Sequence, residues 1–158
     1  MSELTISETV QYLTFKLAEE TFALDVAKVR EILEQTNITK VPQTPDFMRG
    51  VINLRGSVVP VIDMRLKFGM SATEQTVNTC IIVVEVQLED DVIVLGALAD
   101  SVQEVIEMEP NQIEAAPHIG TSLNTDFIRG MGKHDGRFIM ILDIDKVFTS
   151  EELLTVQN

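Results

Sequence analysis

Two aspartates carry the side chains best suited to acid–base chemistry. Asp63 and Asp143 occupy equivalent places in two similar stretches of the chain, and paired carboxylates can act as general acid and general base. Each also comes directly before a short stretch with the pattern of one helical turn, where an aspartate commonly accepts the first backbone amides. Neither is accompanied by a nucleophile or a cluster of metal ligands. The sequence therefore favours two helix caps, with a catalytic dyad as the alternative.

The other reactive side chains stand alone. His118 and His134 lie apart in loop-like sequence, without further ligands at metal-binding spacing. Cys80, the single cysteine, begins an apolar stretch and has no basic neighbour to stabilise a thiolate, so we expect it in the core. The glycines match no nucleotide-binding pattern. We therefore expect no enzyme, no metal and no cofactor.

Composition favours strands and disfavours some partners. Of the 158 residues, 45% are hydrophobic but only 5% are aromatic, so Val, Ile, Leu and Met must fill most of the core. The net charge of −13 repels nucleic acid and anionic lipid. Residues 69–128 contain no Lys or Arg. This acidic stretch suits a partner with a basic face, or it is simply a well-solvated surface.

The chain shows no sign of export or membrane insertion. Its first ten residues lack the basic and apolar regions of a secretory signal, and no apolar run approaches the roughly 18–20 residues of a membrane-spanning helix. A single cysteine excludes an intramolecular disulfide and fits a reducing compartment. We expect a cytoplasmic protein that reaches membranes only through other proteins.

Short strands and brief helical turns alternate along the chain. We expect a flexible tail at residues 1–9, a hairpin at 10–17 and 21–24, and a helix at 26–34 capped by Asp25. Two strands should join at Gly56 and Ser57, followed by a helical turn at 64–68 and a linker at 69–78. Strands at 80–88 and 92–99 precede a helix-like spacing of Val102, Val105 and Ile106. A strand at 138–142 and a terminal helix with a capping box at 149–152 complete the prediction.

An internal repeat organises these elements. Residues 47–68 align without a gap on residues 127–148, and six of the 22 pairs are identical. A weaker copy relates residues 29–33 to residues 102–106. Agreement across strand, turn, strand and cap favours duplication over chance recurrence of glycine turns. We therefore divide the chain into halves at 10–76 and 77–150, followed by a short helix at 151–158, and expect the halves to pack together.

Three arginines are candidates for binding. Arg49, Arg55 and Arg129 each lie beside a glycine in otherwise apolar strand sequence, where the rim of a strand could present a cation. The alternative is that each arginine covers its own barrel.

One long motif resembles a known family. The stretch RGVINLRGSVVPVIDMRLKFG at residues 49–69 is similar to the central signature of CheW proteins, with VREIL at 29–33 and IEAAP at 113–117 in the expected order. The resemblance covers residues 10–154. It implies an all-β fold with short helices, in which two pseudo-symmetric five-stranded barrels pack around a shared hydrophobic core. It also implies a cytoplasmic adaptor, recruited to receptor arrays, between the regulatory domain of the histidine kinase CheA and the tips of methyl-accepting chemoreceptors.

The resemblance also implies three groups of contact residues. The kinase contact would be Val29, Glu31 and Ile32; the receptor contact would be Arg55, Val58, Val102 and Val105; a lateral contact within arrays would be Ile113, Glu114 and Ile119.

The sequence departs from the family pattern in two places. Glu114 stands where a basic residue is expected, and the second copy has Lys133-His134-Asp135 in place of Asn-Leu-Arg. The two halves therefore need not bind equivalent partners. Two alternatives remain: a CheW-like scaffold of a kinase pathway other than chemotaxis, and an acid–base enzyme that uses Asp63 and Asp143.

Overall fold

Eleven strands dominate the computed structural model, which describes residues 9–34, 36–115 and 127–157. The strands are β1 (Val10–Leu17), β2 (Glu20–Asp25), β3 (Val29–Leu33), β4 (Met48–Leu54), β5 (Ser57–Asp63), β6 (Cys80–Leu88), β7 (Asp91–Ala99), β8 (Ser101–Met108), β9 (Ile113–Glu114), β10 (Ile128–His134) and β11 (Arg137–Leu142). The helices are α1 (Met64–Lys67) and α2 (Ser150–Gln157), with single 3-10 turns at Val26–Lys28, Pro110–Gln112 and Ile144–Lys146.

The strands form two sheets of the same design. Sheet 1 has the order β8-β1-β2-β11-β10-β9, and sheet 2 has the order β3-β6-β7-β5-β4. Each sheet contains one parallel pair in the same place, β2 with β11 and β5 with β7, and its other described pairs are antiparallel. The two-residue strand β9 has a counterpart in the single bridge between Thr39 and Val51. The predicted all-β fold with short helices is confirmed.

The repeat extends to the hydrogen-bonding register. Every pairing in the β4–β5 hairpin recurs in the β10–β11 hairpin 80 residues later, including a bulge beside Gly50 and Gly130. A side chain at either glycine would collide with the backbone of the adjoining edge strand, at 2.2 Å from Thr39 O and 2.7 Å from Glu114 O. The tight turns also agree, because Gly56 and Gly136 have φ angles of 91° and 79°. The predicted equivalence of these two turns is confirmed.

The sheets do not follow the predicted boundary between residues 76 and 77. Sheet 1 combines the first hairpin of the first half, β1–β2, with β8 to β11 of the second half. Sheet 2 combines the first hairpin of the second half, β6–β7, with β3 to β5 of the first half. The halves are therefore two copies in sequence that exchange hairpins in space.

Three apolar clusters result from this exchange. One draws only on strands of sheet 1 and its edge, and includes Tyr12, Ala23, Ile106 and Ile141. A second draws only on sheet 2 and its flanking residues, and includes Ile52, Val61, Ile81 and Leu98. The largest cluster lies between the two sheets. Successive side chains of a strand point to opposite faces of its sheet, so the same strands that form the smaller clusters also fill this one from their other face. Its fully buried members include Phe15, Leu17, Leu24, Ile62, Ile82, Leu95, Ile144 and Leu153.

The predicted helix at residues 26–34 is wrong. Asp25 does cap a turn, since its carboxylate accepts the Ala27 amide at 2.9 Å, but that turn is a 3-10 turn that ends at Lys28. The chain then continues as strand β3 against β6, with a bulge between Val29 and Glu31. The extra residue of a bulge shifts the side-chain alternation, so apolar residues three and four positions apart imitate a helix.

The helix-like spacing of Val102, Val105 and Ile106 is wrong for the same reason. These residues belong to strand β8, and its pairing with β1 also contains a bulge. The buried hydroxyl of Thr14 fills that bulge, because it donates to Glu104 O at 2.7 Å and accepts from Glu104 N at 3.1 Å.

The other predicted strands, the turn at α1 and the terminal helix are confirmed. The terminal helix begins with a reciprocal capping box between Thr149 and Glu152.

Asp63 and Asp143 both cap helical turns, as predicted, but their surroundings differ. Asp63 is completely buried and accepts hydrogen bonds from the amides of Arg65 and Leu66 and from the amide and hydroxyl of Thr73. Arg49 completes the set with an ion pair to Asp63 at 3.0 Å. In the described structure, the Asp143 side chain accepts one cap bond, from the Asp145 amide at 3.2 Å. The buried carboxylate thus anchors the middle of the predicted linker through Thr73.

Replacing Asp63 by Asn is expected to lower the free energy of unfolding by about 2–3 kcal/mol, because it removes one partner of a largely buried ion pair. The same replacement at Asp143 is expected to cost less than about 1 kcal/mol, since Asn also caps helices well. Both variants remove one negative charge, so general charge effects cancel between them. Urea unfolding at neutral pH measures both values, and equal losses would contradict the stabilising role of the Arg49 pair.

Candidate functional site

A surface groove runs along one end of sheet 2. It lies between β3, the β4–β5 turn and the start of β7, and encloses about 420 Å³. We call it the sheet 2 groove. Its exposed lining includes the cations Arg30 and Arg55 and the valines Val58 and Val92, which are 72% and 53% exposed. Two guanidiniums beside exposed aliphatic side chains suit a protein partner that offers carboxylates and apolar groups together.

An ion pair crosses the edge of this groove. Arg55 occupies the turn between β4 and β5 with φ 51°, and its guanidinium binds both carboxylate oxygens of Glu31 on β3, one of them at 3.3 Å. The hydrogen bonds from Arg55 hold the pKa of Glu31 below its ordinary value, although desolvation opposes this shift. The same carboxylate raises the pKa of Arg55. A residue predicted for the kinase contact is therefore bonded to one predicted for the receptor contact.

The three residues predicted for the kinase lie on one edge strand. β3 pairs only with β6, so its other edge has no strand partner among the described residues. Ile32 is 41% exposed, whereas Val29 is half-buried and packs against the shared core. Glu31 is partly covered by its ion pair with Arg55. Ile32 is consequently the apolar side chain of this group that is best placed for contact.

The four residues predicted for the receptor lie on both sheets. Arg55 and Val58 share the sheet 2 groove. Val102 and Val105 lie on β8, the edge of sheet 1, where Val102 packs against the shared core and Val105 is 52% exposed. Their pairing with β1 matches the pairing of Val29 and Ile32 with β6. Val102 and Val105 are not part of the lining of the sheet 2 groove.

The predicted lateral contact lies at the opposite edge of sheet 1. Ile113 and Glu114 form β9, which pairs with Met131 and Gly132 of β10. Glu114 is exposed, and Ile113 is half-buried against the core of sheet 1. Ile119 lies outside the described residues, as does His118.

Sheet 1 carries a smaller groove at the position equivalent to the sheet 2 groove. It encloses about 220 Å³, and its lining includes Lys16, Glu104, His134, Asp135 and Arg137. Asp135 replaces the arginine of the first copy, with φ 53° in the equivalent turn. The imidazole Nε2 of His134 lies 3.8 Å from the Glu104 carboxylate and 3.5 Å from that of Asp135. The two grooves thus share a backbone but differ in charge.

Sequence reasoning missed Arg30 and Val92 as groove residues. Arg30 lies in the weaker repeat at residues 29–33, but the prediction of β3 as a helix gave its side chain the wrong direction, and Val92 lies outside both repeats. The other two candidate arginines differ from Arg55. Arg49 is held within its own barrel by Asp63 and by Thr73 O, whereas Arg129 is exposed and forms no ion pair within the described ranges.

Reactive side chains are not grouped in the described part of the chain. Cys80 is half-buried, and desolvation raises the pKa of its thiol, which makes it a weak nucleophile at neutral pH. Residues 9–34, 36–115 and 127–157 contain no group of three His, Cys, Asp or Glu side chains that could hold a metal ion. Within the same ranges, no helix has the length and apolarity needed to cross a membrane.

Comparison with known proteins gives a consistent result. A family model described as the CheW-like domain matches residues 11–152. The chemotaxis protein CheW of Klebsiella aerogenes is 37% identical over 153 residues, which cover 96% of this chain and 90% of that protein. The chemotaxis protein CheW of Rhizobium meliloti is 35% identical over 142 residues, which cover 90% and 89%. The crystal structure of the scaffolding protein TtCheW from Thermoanaerobacter tengcongensis matches with a TM-score of 0.79 at 36% identity, covering 90% of this chain and 94% of that chain.

Two similar sheets around a shared core, matched along most of the chain by a scaffolding protein, define a member of a scaffold and adaptor class. The chain belongs to the CheW-like domain family. The resemblance inferred from the motif at residues 49–69 is confirmed.

The bond between Glu31 and Arg55 predicts how Glu31 titrates. In the folded protein its pKa should lie below the ordinary value of a glutamate, and in an Arg55→Ala variant it should rise toward that value. Because the folded-state pKa is depressed, the stabilisation from this pair is present above the unfolded-state pKa and is lost as pH falls through the folded-state pKa. Carboxyl carbon NMR at a series of pH values measures both. Identical titration midpoints in the two proteins would show that the pair does not form in solution.

Proposed function

We propose that this protein is a non-enzymatic scaffold that couples the histidine kinase CheA to the cytoplasmic tips of chemoreceptors. The observation that carries the proposal is the sheet 2 groove, where the exposed Arg55 and Val58 adjoin the β3 edge that bears Ile32. Charged and apolar groups side by side suit a helical partner that presents both. A cytoplasmic protein recruited to receptor arrays through such contacts needs no membrane anchor of its own.

The β3 edge is the proposed kinase contact. An edge without a strand partner among the described residues, together with the exposed Ile32, suits the docking of the regulatory domain of the kinase. The proposed lateral contact uses Ile113 and Glu114 on β9, at the far edge of the other sheet. Because Glu114 is acidic, its partner surface should be neutral or basic at that point.

Two alternative functions make different use of these surfaces: a scaffold would bind partners there, whereas an acid–base enzyme would not need them. A scaffold of a kinase pathway other than chemotaxis would use the same edges with other partners, and binding to cognate receptor and kinase fragments decides between them. An acid–base enzyme is disfavoured because the carboxylate of Asp63 is buried and bonded to Arg49, Thr73 and two cap amides.

An Ile32→Glu substitution should weaken binding to the regulatory domain of the kinase by at least about tenfold, because it puts a charge into an apolar contact. Ile32 is partly exposed at a sheet edge, so the variant should still fold. Val29 is a poorer test residue, since it packs against the shared core. Isothermal titration calorimetry measures the binding, and the exposed Val77, substituted in the same way, is the control. A folded Ile32→Glu protein with normal kinase affinity would refute the proposed contact.

An Arg55→Ala substitution should lower affinity for a receptor fragment by about tenfold or more while kinase binding is largely retained. Its side chain is 70% exposed, so the thermal midpoint of unfolding should hardly change. A Glu31→Gln variant separates the structural role of the pair from receptor binding. It keeps the Arg55 guanidinium and removes only the carboxylate that this guanidinium binds within the protein. Large destabilisation by Arg55→Ala with unaltered receptor affinity would mean that the arginine is structural.

A further inference from the structure

The two grooves differ in size, at about 420 and 220 Å³, and in the length of the hairpin beside them. Strands β6 and β7 have nine residues each, whereas their counterparts β1 and β2 have eight and six. With this extra length, the start of β7 lies beside the groove at the end of sheet 2. It brings Val92 to the wall of the sheet 2 groove, where it stands 53% exposed. The shorter β1–β2 hairpin offers no apolar side chain at that place to the sheet 1 groove.

A second arginine borders the same groove. Arg30 projects from β3, and its Nε donates to Glu85 at 2.5 Å across an exposed ion pair. The two terminal amino groups of this guanidinium make no hydrogen bond with the described residues, so they remain available to a partner. The equivalent position in sheet 1 carries the neutral Gln103, which also lines its groove. Arginines at 30 and 55 therefore distinguish the sheet 2 groove from its copy.

The lining of the sheet 2 groove contains no acidic side chain, although the protein as a whole has a net charge of −13. At the edge of the groove Glu31 and Glu85 pair with Arg55 and Arg30, so an acidic partner surface would be bound by the guanidinium N–H groups that these two acids leave free. Between the two arginines, Val58 and Val92 offer apolar contact. A helix with an apolar stripe flanked by carboxylates complements this groove, because the stripe matches the valines and the carboxylates match the arginines.

We propose that Arg30 and Val92 extend the receptor groove beyond Arg55 and Val58, and that they select a receptor helix with a carboxylate beside its apolar stripe. This assignment rests on the proposed function. Arg30 donates to the helix carboxylate through its terminal amino groups, and Val92 covers the stripe on the β7 side. Both are specificity-determining residues, and both lie outside the longer repeat at residues 47–68 and 127–148.

The test measures binding of the purified cytoplasmic fragment of the cognate chemoreceptor by calorimetry at low and high salt. Arg30→Gln, which copies the residue at position 103, should lower affinity about three- to fivefold at low salt and reduce the salt dependence. Val92→Ser should lower affinity about tenfold with the salt dependence unchanged. Arg129→Gln and Val77→Ser are the matched controls, since both residues are exposed and lie outside the groove lining; both should bind like the original protein.

The outcomes separate this assignment from the proposed function. If the receptor fragment binds the original protein and loses affinity with Arg55→Ala, but binds both groove variants normally, the extension is wrong and the proposed function stands. If Arg30→Gln weakens binding no more than Arg129→Gln at either salt concentration, the arginine acts only through net charge and the assignment fails. If the original protein binds the kinase but does not bind the receptor fragment at all, the receptor function and this inference fail together. Thermal unfolding of each variant confirms that the compared proteins are folded.

Discussion

The structure depends on one constraint, which is that the first hairpin of each half completes the sheet of the other half. β2 pairs in parallel with β11 and β7 pairs in parallel with β5, so neither sheet forms from a single half. The opposite faces of these strands fill the shared core, which is buried only when both sheets are assembled. The same exchange places β3 and β8 at sheet edges. The proposed docking surfaces are therefore a consequence of how the halves are held together.

Two ion pairs each join a residue of the first half to a residue of the second half. The base and the acid occupy exchanged positions in the two pairs. In one, Arg65 of α1 binds Asp100 at 2.5 Å, and Asp100 also accepts the Ala18 amide at 2.7 Å. Position 145 is equivalent to position 65, but there an acid, Asp145, binds Lys28 at 2.8 Å. A mistaken exchange of partners between the copies would bring acid against acid and base against base. The charges therefore favour the native assembly over its symmetric alternative.

Sequence reasoning recovered the duplicated hairpins because their turns, caps and apolar alternation are local signals. It failed at β3 and β8 because a bulge changes side-chain alternation without changing composition, and the Thr14 hydroxyl that fills the β8 bulge is 90 residues away in sequence. The exchange of hairpins was also invisible, since both possible pairings bury the same residues. For the site, the motif predicted Arg55 and Val58, which both line the sheet 2 groove. The bond to Glu31 across 24 residues and the approach of Val92 depend on tertiary structure.

Duplication also allows the surfaces of the two halves to differ. Backbone hydrogen bonds and buried apolar faces fix the register, which is identical in the two copies of the hairpin. Exposed side chains at the grooves contribute little to that register, so they are able to change charge without loss of the fold. Glu31 has kept an arginine partner at position 55, whereas Glu104 faces Asp135 and His134 at the equivalent place. The lining of the first groove carries two arginines and no acid, whereas the second sets Glu104 and Asp135 beside Lys16 and Arg137, so a difference in partner preference would follow from a few surface positions on a common backbone.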